Sequence, residues 1–193
     1  MPENGPSDSV TVGYKKWIFI AIFFFGFGGV LGVVTPVDVA SLVTDDFAGL
    51  KELGGMVVPF RLTTAIFIFC NNVSVLLLSF ALSPIIWLVP VLALTVNGWL
   101  IAFVSVVVIE EKSLGFLLVG LLPHGIFEIP AFILGQAAAL SLGTIVILSL
   151  FQKRRRGQFL PGLKWNLRYL GVACILLLPA AIIETYVTPL LLT

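Results

Sequence analysis

The chain's single histidine, His124, stands four residues before Glu128 in the stretch Leu121 to Gly135, L-L-P-H-G-I-F-E-I-P-A-F-I-L-G. That spacing places both side chains on one face of a helix, provided the helix already runs through Gly125. Other ionisable or amide-bearing residues lie within apolar sequence: Arg61, the amides Asn71, Asn72, Asn97 and Gln136, and Glu184. An ionisable group at membrane depth costs roughly 2.5–3.5 kcal/mol on insertion scales, so such groups need partners or a function. Three chemistries fit the set. In a structural lock, Arg61 pairs with Glu128 or Glu184, His124 bonds a carboxylate or carbonyl, and the amides bridge helices. Alternatively, His124, Glu128 and Glu184 are candidate ligands for a divalent ion, one imidazole with carboxylates. The third is a polar cavity for an anionic or amphipathic ligand, with Arg61 as the charge partner. Nucleophilic catalysis finds no support: Ser74 and Ser79 have no base nearby in sequence, and Cys70 no activator.

Composition sets the medium in which these residues work. Apolar residues fill 59% of 193 positions and charged residues 11%, against roughly 25% charged in a soluble domain. Several apolar runs approach or exceed the roughly 20 residues that cross a bilayer as helix. Their apolar character is continuous rather than alternating, which disfavours a membrane barrel. The fold class is therefore an all-α membrane protein, a bundle of about five transmembrane helices. Cys70 and Cys174 lie in apolar runs and read as small packing residues. No nucleic-acid motif accompanies the basic cluster at residues 153–168.

Residues 1–13 are polar or small and read as a disordered tail, with residues 14–193 forming one transmembrane helical domain. The first span runs from Trp17 to Val34, and its Gly28-x-x-x-Gly32 spacing favours close helix approach and self-association. Residues 37–57 mix acids with apolar residues at near-helical spacing, which suits an amphipathic segment at the membrane surface. The second span covers about Val58 to Ala81 and the third Ile86 to Ile109. Leu114 to Leu122 is too short to cross and predicts a separate interfacial or re-entrant helix. The fourth span then starts between Pro123 and Ile129 and ends at Phe151; the fifth covers about Tyr169 to Val187. On the fourth span Glu128 shares a face with Ala131, Gly135, Ala139 and Gly143, so it should point into the bundle. The positive-inside rule places Lys15, Lys16 and the 153–168 cluster in the cytoplasm. The amino terminus is then cytoplasmic, and the carboxyl terminus, the 37–57 segment and the ionisable cluster are external.

The motif P-H-G-I-F-E-I-P-A (Pro123 to Ala131), the pair Asn71–Asn72 and the segment A-I-I-E-T-Y-V-T-P (Ala181 to Pro189) together resemble the stage II sporulation protein M family. The resemblance covers essentially everything after the tail. It implies a multi-pass protein of the cell membrane with roughly five spans. The bacterial namesake acts in engulfment during sporulation, in a complex with peptidoglycan-degrading partners that it helps to localise. Members also occur in non-sporulating bacteria and archaea, so the family name is not itself a function. The plan also has a loose similarity to permease subunits of ABC-type exporters, an analogy of fold alone. The leading expectation is a non-enzymatic membrane protein that organises or anchors a complex. The alternatives are a transporter or permease component and a membrane-embedded metal-dependent hydrolase. Expected partners are membrane lipids, membrane or envelope proteins and a second copy of the chain, with no nucleic acid. No cofactor is expected, unless a divalent metal occupies the histidine–glutamate cluster.

Overall fold

A computed structural model describes residues 6–36, 58–152, 157 and 159–192, with side chains from Tyr14 onward. The segment read as amphipathic, 37–57, and Lys153 to Arg156 lie outside the described residues. Among the described residues every regular element is helical. These are α1 (Pro6–Val34), α2 (Leu62–Leu82), α3 (Leu88–Glu111), α4 (Leu114–Phe151) and α5 (Phe159–Ile182). A π-helical turn (Ile183–Val187) and the short α6 (Thr188–Leu191) complete the chain. Among the described residues five helices are long and apolar enough to cross a membrane, which makes this a multi-pass membrane protein. The fifth runs without interruption from α5 through α6.

Three boundaries differ from the sequence expectation. Helix α1 begins at Pro6, so residues 6–13 continue the first span's helix. Leu114 to Leu122 is no separate interfacial piece: α4 runs unbroken for 38 residues, about 57 Å at about 1.5 Å per residue. Its start is set by Ser113, whose side chain accepts the Phe116 N–H at 3.1 Å as an N-cap. Pro123 and Pro130 both lie inside it. A membrane helix tolerates the lost N–H donors because its neighbours support the freed carbonyls. A helix this long exceeds the roughly 30 Å hydrocarbon core, so it tilts or projects beyond it. Helix α5 starts at Phe159, ten residues before the expected Tyr169. Lys164 and Arg168 are exposed there, and the Arg168 guanidinium lies 5.1 Å from the Trp165 ring centroid. Charges mark where a membrane ends, and a helix need not end with it.

Helix α4 is the axis of the bundle and packs against α1, α2, α3 and α5. Its middle, Gly135 to Gly143, is buried at every position. Small residues make this possible. A Cβ at Gly135 would come within 2.8 Å of the Leu76 side chain on α2, and one at Gly143 would strike the Ser83 carbonyl. Inside lipid such close approach, through dispersion and interhelical hydrogen bonds, holds helices together, because lipid is as apolar as the side chains it would replace. Ala131 and Ala139 are buried with Gly135 and Gly143, the face expected to carry Glu128 inward.

Helices α1 and α3 form the other tight pair. A Cβ at Gly28 would collide with the Thr95 carbonyl, one at Gly32 with the Trp99 carbonyl, and one at Gly98 with the Phe25 carbonyl. The G-x-x-x-G face expected to support self-association is thus occupied by the chain's own α3. Two tryptophans fasten the bundle with indole N–H donors: Trp99 to Thr35 Oγ1 at 2.9 Å, and Trp87 to Thr144 Oγ1 at 3.0 Å. Tyr14 stacks on Tyr169 with ring centroids 3.5 Å apart, and its hydroxyl donates to the Leu134 carbonyl at 2.9 Å.

Candidate functional site

At the end of the bundle where α3 hands over to α4, His124 and Glu128 emerge from one helix face. Continuity of α4 through Gly125 makes them neighbours, with His124 Nε2 3.9 Å from Glu128 Oε2. This is an ion pair only when the imidazole is protonated. Glu184 reaches the same place from the π turn. One ligand atom from each of His124, Glu128 and Glu184 lies within 4.8 Å of the others, and all three residues are half-buried. The structure therefore brings together the three candidate metal ligands.

Each α4 residue of the trio has a polar neighbour on another element. Asn72 on α2 donates from Nδ2 to Glu128 Oε1 at 3.0 Å, leaving Oε2 toward His124. Thr188 Oγ1 lies 3.5 Å from His124 Nδ1. Such partners orient a histidine or carboxylate and set which atom it presents.

Pro189 explains how the π turn is secured. Proline has no N–H, so the Thr185 carbonyl four residues earlier lacks its helical donor. The Thr188 N–H reaches back five residues to Ile183, the wide spacing of a π turn. The Phe60 N–H supplies the missing bond to the Thr185 carbonyl at 3.2 Å. Phe60 adopts φ 65°, the left-handed region uncommon for a residue with a Cβ. Thr64 Oγ1 donates to the Val58 carbonyl at 2.7 Å and fixes the approach to α2. The α2 entrance is thereby fastened to the π turn. Thr185, Thr188 and Phe60 escaped the sequence reading; the T-x-x-T-P run, with its proline four residues after Thr185, was the available signal.

Next to the trio lies a cavity of about 90 Å³, lined by Asn71, Asn72, Asn97, Glu128 and the apolar side chains of Phe25 and Leu177 among others. It joins the amide layer to Glu128. Asn97 Nδ2 also donates to its own helix at the Ala93 carbonyl, 2.8 Å away. Gln136 lies apart, fully buried, with Nε2 3.1 Å from Ser79 Oγ and its Oε1 unpartnered. Arg61 departs from expectation. It is exposed at the α2 boundary, and among the described residues the ion pair at this site is His124–Glu128, with Arg61 bound to neither glutamate. Its backbone ends an extended entry to α2 (φ −109°, ψ 133°). Cys70 and Cys174 are free thiols outside the trio.

An uncharacterized protein of Methanocaldococcus jannaschii is 26% identical over 179 residues, covering 91% of this chain and 96% of that protein. No solved structure matches the chain. The model of the family described as stage II sporulation protein M matches residues 20–189, which hold the trio, the three asparagines, the three middle spans whole and most of the first and fifth. The chain belongs to the stage II sporulation protein M family.

Proposed function

We propose that the protein is a non-enzymatic organiser of a complex in the cell membrane, with its histidine–glutamate cluster serving to lock the bundle from the external side. The size of the polar cavity carries this reading. About 90 Å³ falls well short of the roughly 300–1,000 Å³ of pockets that take drug-sized ligands. It has room for a few water molecules and none for a sizeable solute. At the cavity wall Asn72 ties α2 to α4, and outside it the backbone bond from Phe60 to Thr185 ties the α2 entrance to the π turn. Arg61, the charge partner an anion site would use, stays outside. A rigid bundle with a lipid-facing surface is what an assembly platform requires.

The alternative is a permease component that uses the Asn72–Asn97–Glu128 cavity as part of a passage. Two experiments on the full chain separate the readings. Photo-crosslinkers placed at the exposed α1 positions Phe19 and Phe23, in native membranes, should give one discrete adduct with an envelope protein, reproduced at both positions. Reconstituted proteoliposomes should show no flux of small ions or solutes above lipid alone. Flux abolished by Glu128→Gln or Asn97→Leu would overturn the organiser reading.

A further inference from the structure

We infer that His124, Glu128 and Glu184 form a divalent-cation site, suited to zinc, that joins α4 to the π turn. The inference goes beyond the organiser reading and stands or falls separately from it. Three observations carry it. The first is the donor set: one imidazole and two carboxylates with ligand atoms all within 4.8 Å of one another. Tetrahedral zinc with bonds of about 2.0–2.2 Å sets its ligands roughly 3.3–3.5 Å apart. The His124–Glu128 separation of 3.9 Å is within half an ångström or so of that. Rotation about the side-chain bonds of Glu128 and Glu184 covers the remainder.

The second is the surrounding support. Asn72 occupies Glu128 Oε1, so Oε2 is the oxygen turned toward His124. Thr188 stands beside His124 Nδ1, so Nε2 is the nitrogen turned toward Glu128. A metal-binding histidine characteristically has its second nitrogen engaged in this way. The third is charge. Two carboxylates share a half-buried site, and among the described residues neither has a lysine or arginine partner. A 2+ ion neutralises both and removes their mutual repulsion, whereas a histidinium alone offsets one. A three-residue set leaves a fourth position for water, and the cavity beside Glu128 can supply it.

The test uses the full-length protein, purified in detergent through a tag without histidines, equilibrated with micromolar free zinc and then gel-filtered. Elemental analysis should find about one zinc per chain. His124→Gln and Glu184→Gln should each reduce retained zinc at least tenfold while the protein stays monodisperse. Thr188→Val keeps all three ligands and should weaken zinc affinity by roughly tenfold, since partners of ligating residues contribute about 10–100-fold. It tests the site even if a ligand variant fails to fold. Cobalt substitution should give visible absorption bands that shift in Glu184→Gln. A monodisperse protein with less than a tenth of a zinc per chain overturns the site. So does zinc retention unchanged by His124→Gln, or zinc affinity unchanged by Thr188→Val in competition with a chelator.

Discussion

Replacing Gly28 by alanine perturbs the α1–α3 contact at a point where the structure leaves no room. The added Cβ would collide with the Thr95 carbonyl oxygen and lie 2.8 Å from its carbon, where ordinary contacts run 3.4–4 Å. The obstacle is backbone, which cannot rotate aside, so the two helices must part by more than about half an ångström. Parting them strips contact from the reciprocal sites as well. Gly32 meets the Trp99 carbonyl and Gly98 the Phe25 carbonyl along the same seam. Overpacking of this kind costs about 1–3 kcal/mol. Helix propensity offsets up to about 1 kcal/mol of it, since alanine is the better helix former. The expected net loss for Gly28→Ala is therefore about 0–2 kcal/mol when that gain is full, and about 1–3 kcal/mol relative to a glycine-to-alanine change that meets no obstacle. Gly26, two residues away, supplies the control, because nothing lies within 4 Å of a Cβ there. Gly26→Ala should be neutral or slightly stabilising. The assay is reversible unfolding in mixed micelles by titration with sodium dodecyl sulfate, followed by tryptophan fluorescence. Equal stability of Gly28→Ala and Gly26→Ala would refute the tight seam.

Other contacts make similarly direct predictions. Tyr14→Phe keeps the stack on Tyr169 but loses the bond to the Leu134 carbonyl, and should cost about 0.5–1.5 kcal/mol in the same titration. Asn72→Leu removes the donor to Glu128 Oε1 and should cost about 1–3 kcal/mol; a neutral result would show that the bond carries no weight. Gln136→Leu should be nearly neutral, because the amide already leaves Oε1 unpartnered and Ser79 can bond its own helix. For orientation, single cysteines at Ser113 and Gly157, introduced into a Cys70→Ser, Cys174→Ser background, should react with an impermeant maleimide from opposite sides. The cell exterior should reach Ser113 only.

The five spans were legible because continuous apolar runs of membrane length have few other fates. The four-residue spacing of His124 and Glu128 was legible as well, as was the small-residue face of Ala131, Gly135, Ala139 and Gly143. What failed was inference from each segment taken by itself. Two prolines and an apparently short segment argued for a break before Glu128, yet Ser113 caps one continuous helix because neighbouring helices support what the prolines release. Pairing Arg61 with Glu128 or Glu184, one of the three chemistries open to the set, rests on depth; depth ignores direction, and Arg61 is exposed. The Gly28–Gly32 face could not be allotted between a second copy and α3 without the three-dimensional contact. The partners of Thr185 and Thr188 lie more than 60 residues away in sequence, at Phe60 and His124, where no local pattern reports them.

The bond from Phe60 to the Thr185 carbonyl also sets an order of events during synthesis. A membrane protein emerges from its amino-terminal side, so α2 is made and inserted long before the π turn exists. Until the fifth span arrives, the Phe60 N–H lacks this acceptor, Glu128 lacks its companion from Glu184, and the cluster has only its α2 and α4 members. Newly inserted chains therefore pass through a four-span stage whose polar end stays open. Closing it awaits the fifth span, and a nascent chain stalled before Thr185 is the species a quality-control protease should recognise.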